Sequence, residues 1–398
     1  MIKSKRILMD IENPMERTAK VGIIIFLAGF YLMKPGKFHN NIFYLLVLIP
    51  GLILLYKNYK EALNNKILFY FGLFLFYYVI SSLWGDNKDF FRALKYSLYI
   101  ITFMWVFSYF IYKYKLFKNI ILHGLPLVAS ISVIVNALFW YSEHPISSRL
   151  YGTVGIWECI GLGVSFGLAG LIALNNIITA PNNNQKYFNL LMLALLCVGV
   201  ILSQSKLALG AMLGGSFILI TIHPIKLKTK FLVFGIIISS LISLYIFYPQ
   251  LLSRHLLLLN QLLANTSEIP RVQIWHNLLL KMNDYWLFGH GYGVKLNNFI
   301  SKLDHTYSTA HSIYIGHLYL GGLIGIIFTL VALSFVGICS LKNSVKEKNY
   351  LGLSLFAFPM LVMTGQYTIL LDHPNEVWIN ILVPLSISYG LSINKVNP

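Results

Sequence analysis

The chain has 398 residues, 57% of them hydrophobic and 11% charged, with a mean hydropathy of +0.68. Soluble domains carry about 25% charged residues, and one buried core could not hide this much apolar surface, so lipid must be the solvent for most of it. The net charge of +17 fits basic loops lying against anionic lipid and, with no basic runs interleaved with aromatics, excludes a nucleic-acid binder; the three scattered cysteines, Cys159, Cys197 and Cys339, exclude a zinc motif and a disulfide framework.

The N-terminal stretch MIKSKRILMDIENPMERTAK is polar and lacks a cleavable-signal pattern, so the first hydrophobic segment reads as a retained anchor. Apolar runs then predict spans at about 21–34, 42–56, 67–84, 94–112, 119–141, 155–178, 187–203, 205–222, 231–249, 311–340, 350–371 and 376–392. The fold class is therefore an all-α integral membrane protein of about 12 transmembrane helices. No internal repeat divides it, and residues 1–398 read as a single polytopic membrane domain. A large loop, 250–310, separates helices 9 and 10. Short helices are expected inside it: Pro270 suits a first helical turn, and Val272, Trp275, Leu279 and Met282 follow helical spacing. Such a helix would lie on the bilayer surface or on the bundle.

Lysine and arginine set the orientation. With the N-terminus inside, nineteen of the 31 basic residues fall on inner segments and seven on short outer ones; the long loop holds the other five. Both termini are thus expected in the cytoplasm and residues 250–310 outside.

That topology gathers an unusual set of side chains at one depth. Arg149 follows the fifth span in SSRLYGTVG, and Lys206 tops a hairpin in SQSKLALGA. Arg271 lies in the long loop, His311 opens the tenth span, and Asp372 and His373 end the eleventh. Several helices delivering polar groups to one level is how a bundle builds a site. Plainer roles exist for each: snorkelling for Lys206, interfacial anchoring for Arg149, an ordinary loop acid for Asp372, a satisfied interfacial histidine for His311. Arg271 is harder to dismiss. A cation at a helix start opposes the helix dipole, so an anionic ligand or a carboxylate should stand beside it.

The glycines of GHGYG (Gly289, Gly291, Gly293) read as a flexible turn, since no strand–helix context makes them a dinucleotide fingerprint. Gly322 and Gly325 fall below His311 on roughly the same helical face, where small residues permit close packing. No HExxH, paired-carboxylate or nucleophile-elbow motif appears, and DNKD at 86–89 is a loose match for a metal pair. The expected chemistry is free of metal and cofactor, with cations holding an anionic group and a histidine moving a proton.

These residues, in this order, resemble the O-antigen ligase and O-antigen polymerase superfamily of bacterial envelope glycosyltransferases. The resemblance rests on the span pattern, on Arg149-x-x-Gly152-Thr153, on the SQSK hairpin with Lys206, and on Arg271-x-x-x-Trp275. It continues through Gly289-x-Gly-x-Gly, His311 and the glycines Gly322 and Gly325. The family often has arginine where Lys206 stands and His-Asn where this chain has His311-Ser312. Lysine keeps the charge but loses the bidentate fork for phosphate.

The resemblance implies a multi-pass protein of the bacterial inner membrane with its site and its 250–310 loop facing the periplasm. The donor would be a glycan on undecaprenyl diphosphate and the acceptor lipid A–core oligosaccharide. His311 would be the general base, and Arg271, Lys206 and Arg149 would hold the diphosphate, with Asp372 and Trp275 in support. A polymerase, or a protein O-oligosaccharyltransferase, is the alternative on the same scaffold. A lipid-linked sugar transporter is the non-enzyme alternative, but it should place charges near the bilayer midplane and often shows repeats.

Overall fold

A computed structural model describes residues 13–34, 36–63, 65–85, 89–224, 235, 270–296, 298–300, 305–348 and 350–393. Helices account for nearly all regular structure there: α1 (Pro14–Leu32), α2 (Lys37–Lys57), α3 (Lys66–Ser81), α4 (Phe90–Lys113), α5 (Lys115–Glu143) and α6 (Cys159–Ile178). Then come α7 (Asn183–Leu202), α8 (Lys206–Ile222), α9 (Pro270–Leu280), α10 (Ile313–Glu347), α11 (Tyr350–Val362) and α12 (Trp378–Ser392). Six of these helices are long and apolar enough to cross a membrane, and four shorter ones are strongly apolar. The protein is thus a helical, multi-pass membrane protein. Eleven of the twelve predicted spans have a helical counterpart; the ninth, 231–249, lies outside the described residues except for 235, and 250–269 of the long loop and residues 86–88 of the DNKD stretch lie outside them too.

Local chemistry sets the helix ends. Asn13 caps α1 with Pro14 at its first position, Ser205 caps α8 through Ala208 N, and Ser312 caps α10 through Ile315 N. Helix α6 is enclosed along nearly its whole length, packed by α5, α7 and α8, while α8 packs on α11, α10 on α3, and α12 on α4. An aromatic cluster ties α1, α2, α4 and α12 together: Phe43 and Phe103 lie 4.9 and 5.1 Å, centroid to centroid, from the buried Trp378. Edge and tilted contacts of this kind add to the burial of the rings themselves.

The structure amends three expectations. The eleventh span stops at Val362, nine residues early, because Gly365 and polar Thr364 and Gln366 lead into an irregular segment in which Tyr367 has a positive φ of 66°. A small antiparallel ribbon, Asn298–Ile300 with His305–Tyr307, joins the expected short helix α9 in the loop. The third concerns Gly322, which interrupts α10 with φ 63° and ψ −163°, backbone that only glycine adopts readily. The GHGYG turn docks on that break. Leu323 N donates to Trp286 O (2.8 Å) and Gly291 N to Leu320 O (2.8 Å), and a Cβ at either Gly289 or Gly322 would run into the other segment's backbone. Gly322 is therefore one half of a joint with the GHGYG turn, while Gly325 keeps the expected packing role, since a Cβ there would meet Tyr77 and Tyr78 of α3.

Candidate functional site

One end of the bundle, where α1, α5 and α7 finish and α6, α8 and α10 begin, carries the polar groups. The segment between α5 and α6 is pinned there by Asn136 of α5, whose Oδ1 accepts from Thr153 N (2.6 Å), Val154 N (3.0 Å) and Thr153 Oγ1 (3.1 Å). Gly152 leaves room for the Ile156 carbonyl. The Arg-x-x-Gly-Thr motif is thus a scaffold that presents Arg149. The arginine in turn reaches the α7–α8 hairpin, donating from Nε to Ser203 O at 3.2 Å, beside a backbone bond from Leu150 N to Leu202 O at 2.8 Å. Lys206 begins α8 on this hairpin with its side chain exposed.

Arg271 lies at the start of α9, next to Leu207 of α8 and to Gly365. Burial and the Arg149 charge both press its pKa down, and the Glu158 carboxylate opposes them. Glu158 thus supplies the carboxylate charge that acts on Arg271 at this helix start. It also caps α6, accepting at Oε2 from Gly161 N (2.8 Å), and the same oxygen accepts from Gln366 Nε2 (3.2 Å). Two effects lower the imidazole pKa of His311, burial first and then the Arg271 charge, and the Gln366 amide partly offsets them. Arg149, Arg271, Glu158, Gln366 and His311 are one electrostatic cluster.

His311 sits two residues before α10, not on it, with φ of 49°. Its position is fixed from both sides. Trp275 of α9 donates from Nε1 to Ala310 O (2.9 Å), Ala310 N donates to Thr368 Oγ1 (2.9 Å), and Ile313 N donates to Met363 O (3.0 Å). Left-handed backbone at a non-glycine residue costs on the order of 1–3 kcal/mol and clusters at functional sites. Here His311 itself is such a residue, and two more, Gln204 on the α7–α8 hairpin and Tyr367 next to Gln366, lie on the segments that build the cluster.

Beside Glu158 opens a cavity of about 530 Å³, walled by the end of α1, the start of α2, residues 156–158 and the segment 367–377. Glu376 faces it. Gly161 has no side chain because the Glu376 carboxyl and the Tyr367 hydroxyl fill that space. Burial, then the Glu158 charge, pushes the Glu376 carboxyl up to about 8, so it is largely protonated at neutral pH.

Of the residues picked from sequence, Arg149, Arg271 and His311 come together, and Lys206 stands exposed on the neighbouring hairpin. Trp275 holds the backbone at Ala310. Asp372 is placed apart from His311: it pairs with His373 Nδ1 (2.7 Å) and Asn375 Nδ2 (2.8 Å) and lines the cavity. Sequence reasoning missed Glu158, Gln366 and Glu376. The signal was present for two of them, since each is an acid set directly before an apolar run. Among the described residues no group of three His, Cys, Asp or Glu could hold a metal ion.

Residues 191–330 match the family model described as O-antigen ligase, a segment that contains Lys206, Arg271 and His311. The match supports the O-antigen ligase and polymerase superfamily that the motifs resemble, whose members are glycosyltransferase-like enzymes. No curated protein matches the chain.

Proposed function

We propose that the protein is an O-antigen ligase, transferring a glycan from undecaprenyl diphosphate to lipid A–core oligosaccharide on the periplasmic face of the inner membrane, without a metal. The observation that carries this reading is the grouping of charges at one end of the bundle, Arg149 acting on Arg271 and Arg271 on His311, near an open cavity. Two guanidinium groups, joined by the ammonium of Lys206, suit a diphosphate. A histidine kept neutral by burial and by Arg271 suits a base.

In the step this implies, the acceptor oxygen bonds to the anomeric carbon of the donor. The bond from that carbon to the diphosphate oxygen breaks, and its electron pair leaves on the diphosphate, where the cations stabilise it. The hydroxyl proton passes to His311. Trp275 acts by positioning, through the backbone it holds at Ala310.

A polymerase would use the same residues with a lipid-linked acceptor. A deletion strain analysed by lipopolysaccharide gel separates the two. Loss of all capped lipid A–core indicates the ligase, whereas a single capping repeat indicates the polymerase. Unchanged lipopolysaccharide overturns both. Purified protein should also transfer glycan in EDTA; loss of transfer restored by magnesium or manganese would refute the metal-independent mechanism.

A further inference from the structure

The anion-binding role of Arg149 and Arg271 leaves the cavity beside Glu158 unused. Its volume of about 530 Å³ falls within the roughly 300–1,000 Å³ of small-ligand pockets. The lining is acidic rather than basic: Glu158, Asp372 and Glu376 face it, against His39 and His373. His39 is already engaged, its Nε2 lying 2.8 Å from Phe26 O, and His373 pairs with Asp372. The Glu376 carboxyl is largely buried and lines the cavity, so a polar group that enters can bond to it. At the rim, the Trp157 side chain is 62% exposed.

The cavity also adjoins the reacting centre. Thr309, two residues before His311, lines it, and so does Thr368, whose hydroxyl holds Ala310. Glu158 stands between the cavity and the arginines: its carboxylate lines the first and acts on Arg271. His311 thus feels the Arg271 charge and lies two residues along the chain from the wall of an acidic pocket.

We propose that this cavity is the acceptor subsite, taking an uncharged, polyhydroxylated sugar ring of the acceptor glycan and presenting its hydroxyl toward His311. The assignment rests on the glycan-transfer reading above. Sugar hydroxyls can donate to Glu158 and Asp372, and a protonated Glu376 can both donate and accept. A sugar carrying a carboxylate or phosphate would meet like charge in the pocket. The donor, whose diphosphate needs cations, is directed to the arginines instead.

The test uses the full-length protein purified in detergent, with lipid-linked donor and lipid A–core acceptor. Glu376→Leu should raise the acceptor KM by about tenfold or more and leave the donor KM within about twofold. Glu376→Gln, which keeps a donor and an acceptor at that place, should raise the acceptor KM distinctly less than Glu376→Leu does. Trp157→Ala, at an exposed position, should also raise the acceptor KM and serves if Glu376→Leu folds poorly. An unchanged acceptor KM in Glu376→Leu and Trp157→Ala, or a rise confined to the donor KM, overturns the subsite. Should wild-type protein bind donor yet transfer nothing, the function reading fails by itself. The cavity is then decided by binding of fluorescently labelled core oligosaccharide: weaker binding to Glu376→Leu than to wild type sustains it, and equal binding or none to wild type refutes it.

Discussion

His311 can serve as a base only while its ring is neutral, and its surroundings keep it so. Burial and the Arg271 charge lower its pKa from 6.5, so the acid limb of kcat/KM should lie below pH 6.5, with activity falling as pH drops through the lowered pKa. His311→Ala should cut transfer per folded molecule by roughly 10²-fold or more while sparing donor binding. Arg271→Ala should weaken donor binding and move the acid limb up toward 6.5, because a cation that disfavours imidazolium is gone. An in vitro assay across pH, normalised to folded protein, reads both; near-normal turnover for His311→Ala would end its candidacy as base.

Glu376 makes the opposite kind of prediction. Its carboxyl is raised from 4.5 to about 8 in the folded protein. Between those values the folded state holds a proton that the unfolded state has released, so rising pH costs stability across that window, and the full penalty is present above it. Glu376→Gln removes the titration. The variant should therefore melt closer to wild type at pH 5 and distinctly higher at pH 8, in thermal unfolding followed by tryptophan fluorescence. An equal difference at both pH values would mean that the carboxyl is not buried as a neutral acid. Sequence could show an acid before an apolar run; it could not show that Gly161 opens the space this carboxyl occupies, because the two are brought together only by the packing of α6 against the chain entering α12.

At the scale of elements, the joint between the GHGYG turn and the break in α10 sets the geometry below His311. Glycine at 322 is required twice, by its backbone angles and by the Leu287 carbonyl that a Cβ would strike. Gly322→Ala should destabilise the protein by roughly 1–3 kcal/mol or more and lower its melting temperature by several degrees. Gly124→Ala, in α5 where a Cβ meets nothing within 4 Å, should be neutral or slightly stabilising. Comparable melting temperatures for the two variants would show that the joint yields easily. The spans themselves were legible in the sequence because lipid demands long apolar runs with internally satisfied backbone. The break at Gly322 was not, because a glycine that packs helices and a glycine that opens one look alike until the partner backbone is known. Nor was the early end of α11, whose apolar residues Ile369, Leu370 and Leu371 continue the hydrophobic pattern into the loop. Of the candidate site, the cations and the histidine were legible as charges placed where lipid disfavours them. Gln366, an uncharged residue in an apolar neighbourhood, gave no such sign.

For the whole molecule, the structure gathers Arg149, Arg271 and His311 at one end of the bundle, and the basic residues say which way that end should face. The segments expected inside hold nineteen lysines and arginines against seven on the short outer ones, and positive charge is retained on the cytoplasmic side. The end bearing Arg149, Arg271 and His311 should then face the periplasm, along with the segment after α9. Asp284 is an exposed residue of that segment, in the short 3₁₀ turn Asn283–Tyr285. A single cysteine at 284, in a chain with Cys159, Cys197 and Cys339 replaced, should react with a membrane-impermeant thiol reagent in intact cells whose outer membrane alone is permeabilised. A cysteine at Lys346, an exposed residue near the far end of α10, should react only after the inner membrane is opened. The reverse pattern would invert the topology and place the cation cluster in the cytoplasm, out of reach of a donor presented on the outer leaflet. Labelling of both positions in intact cells would contradict the alternation of the helices itself, since α10 must then fail to carry the chain across.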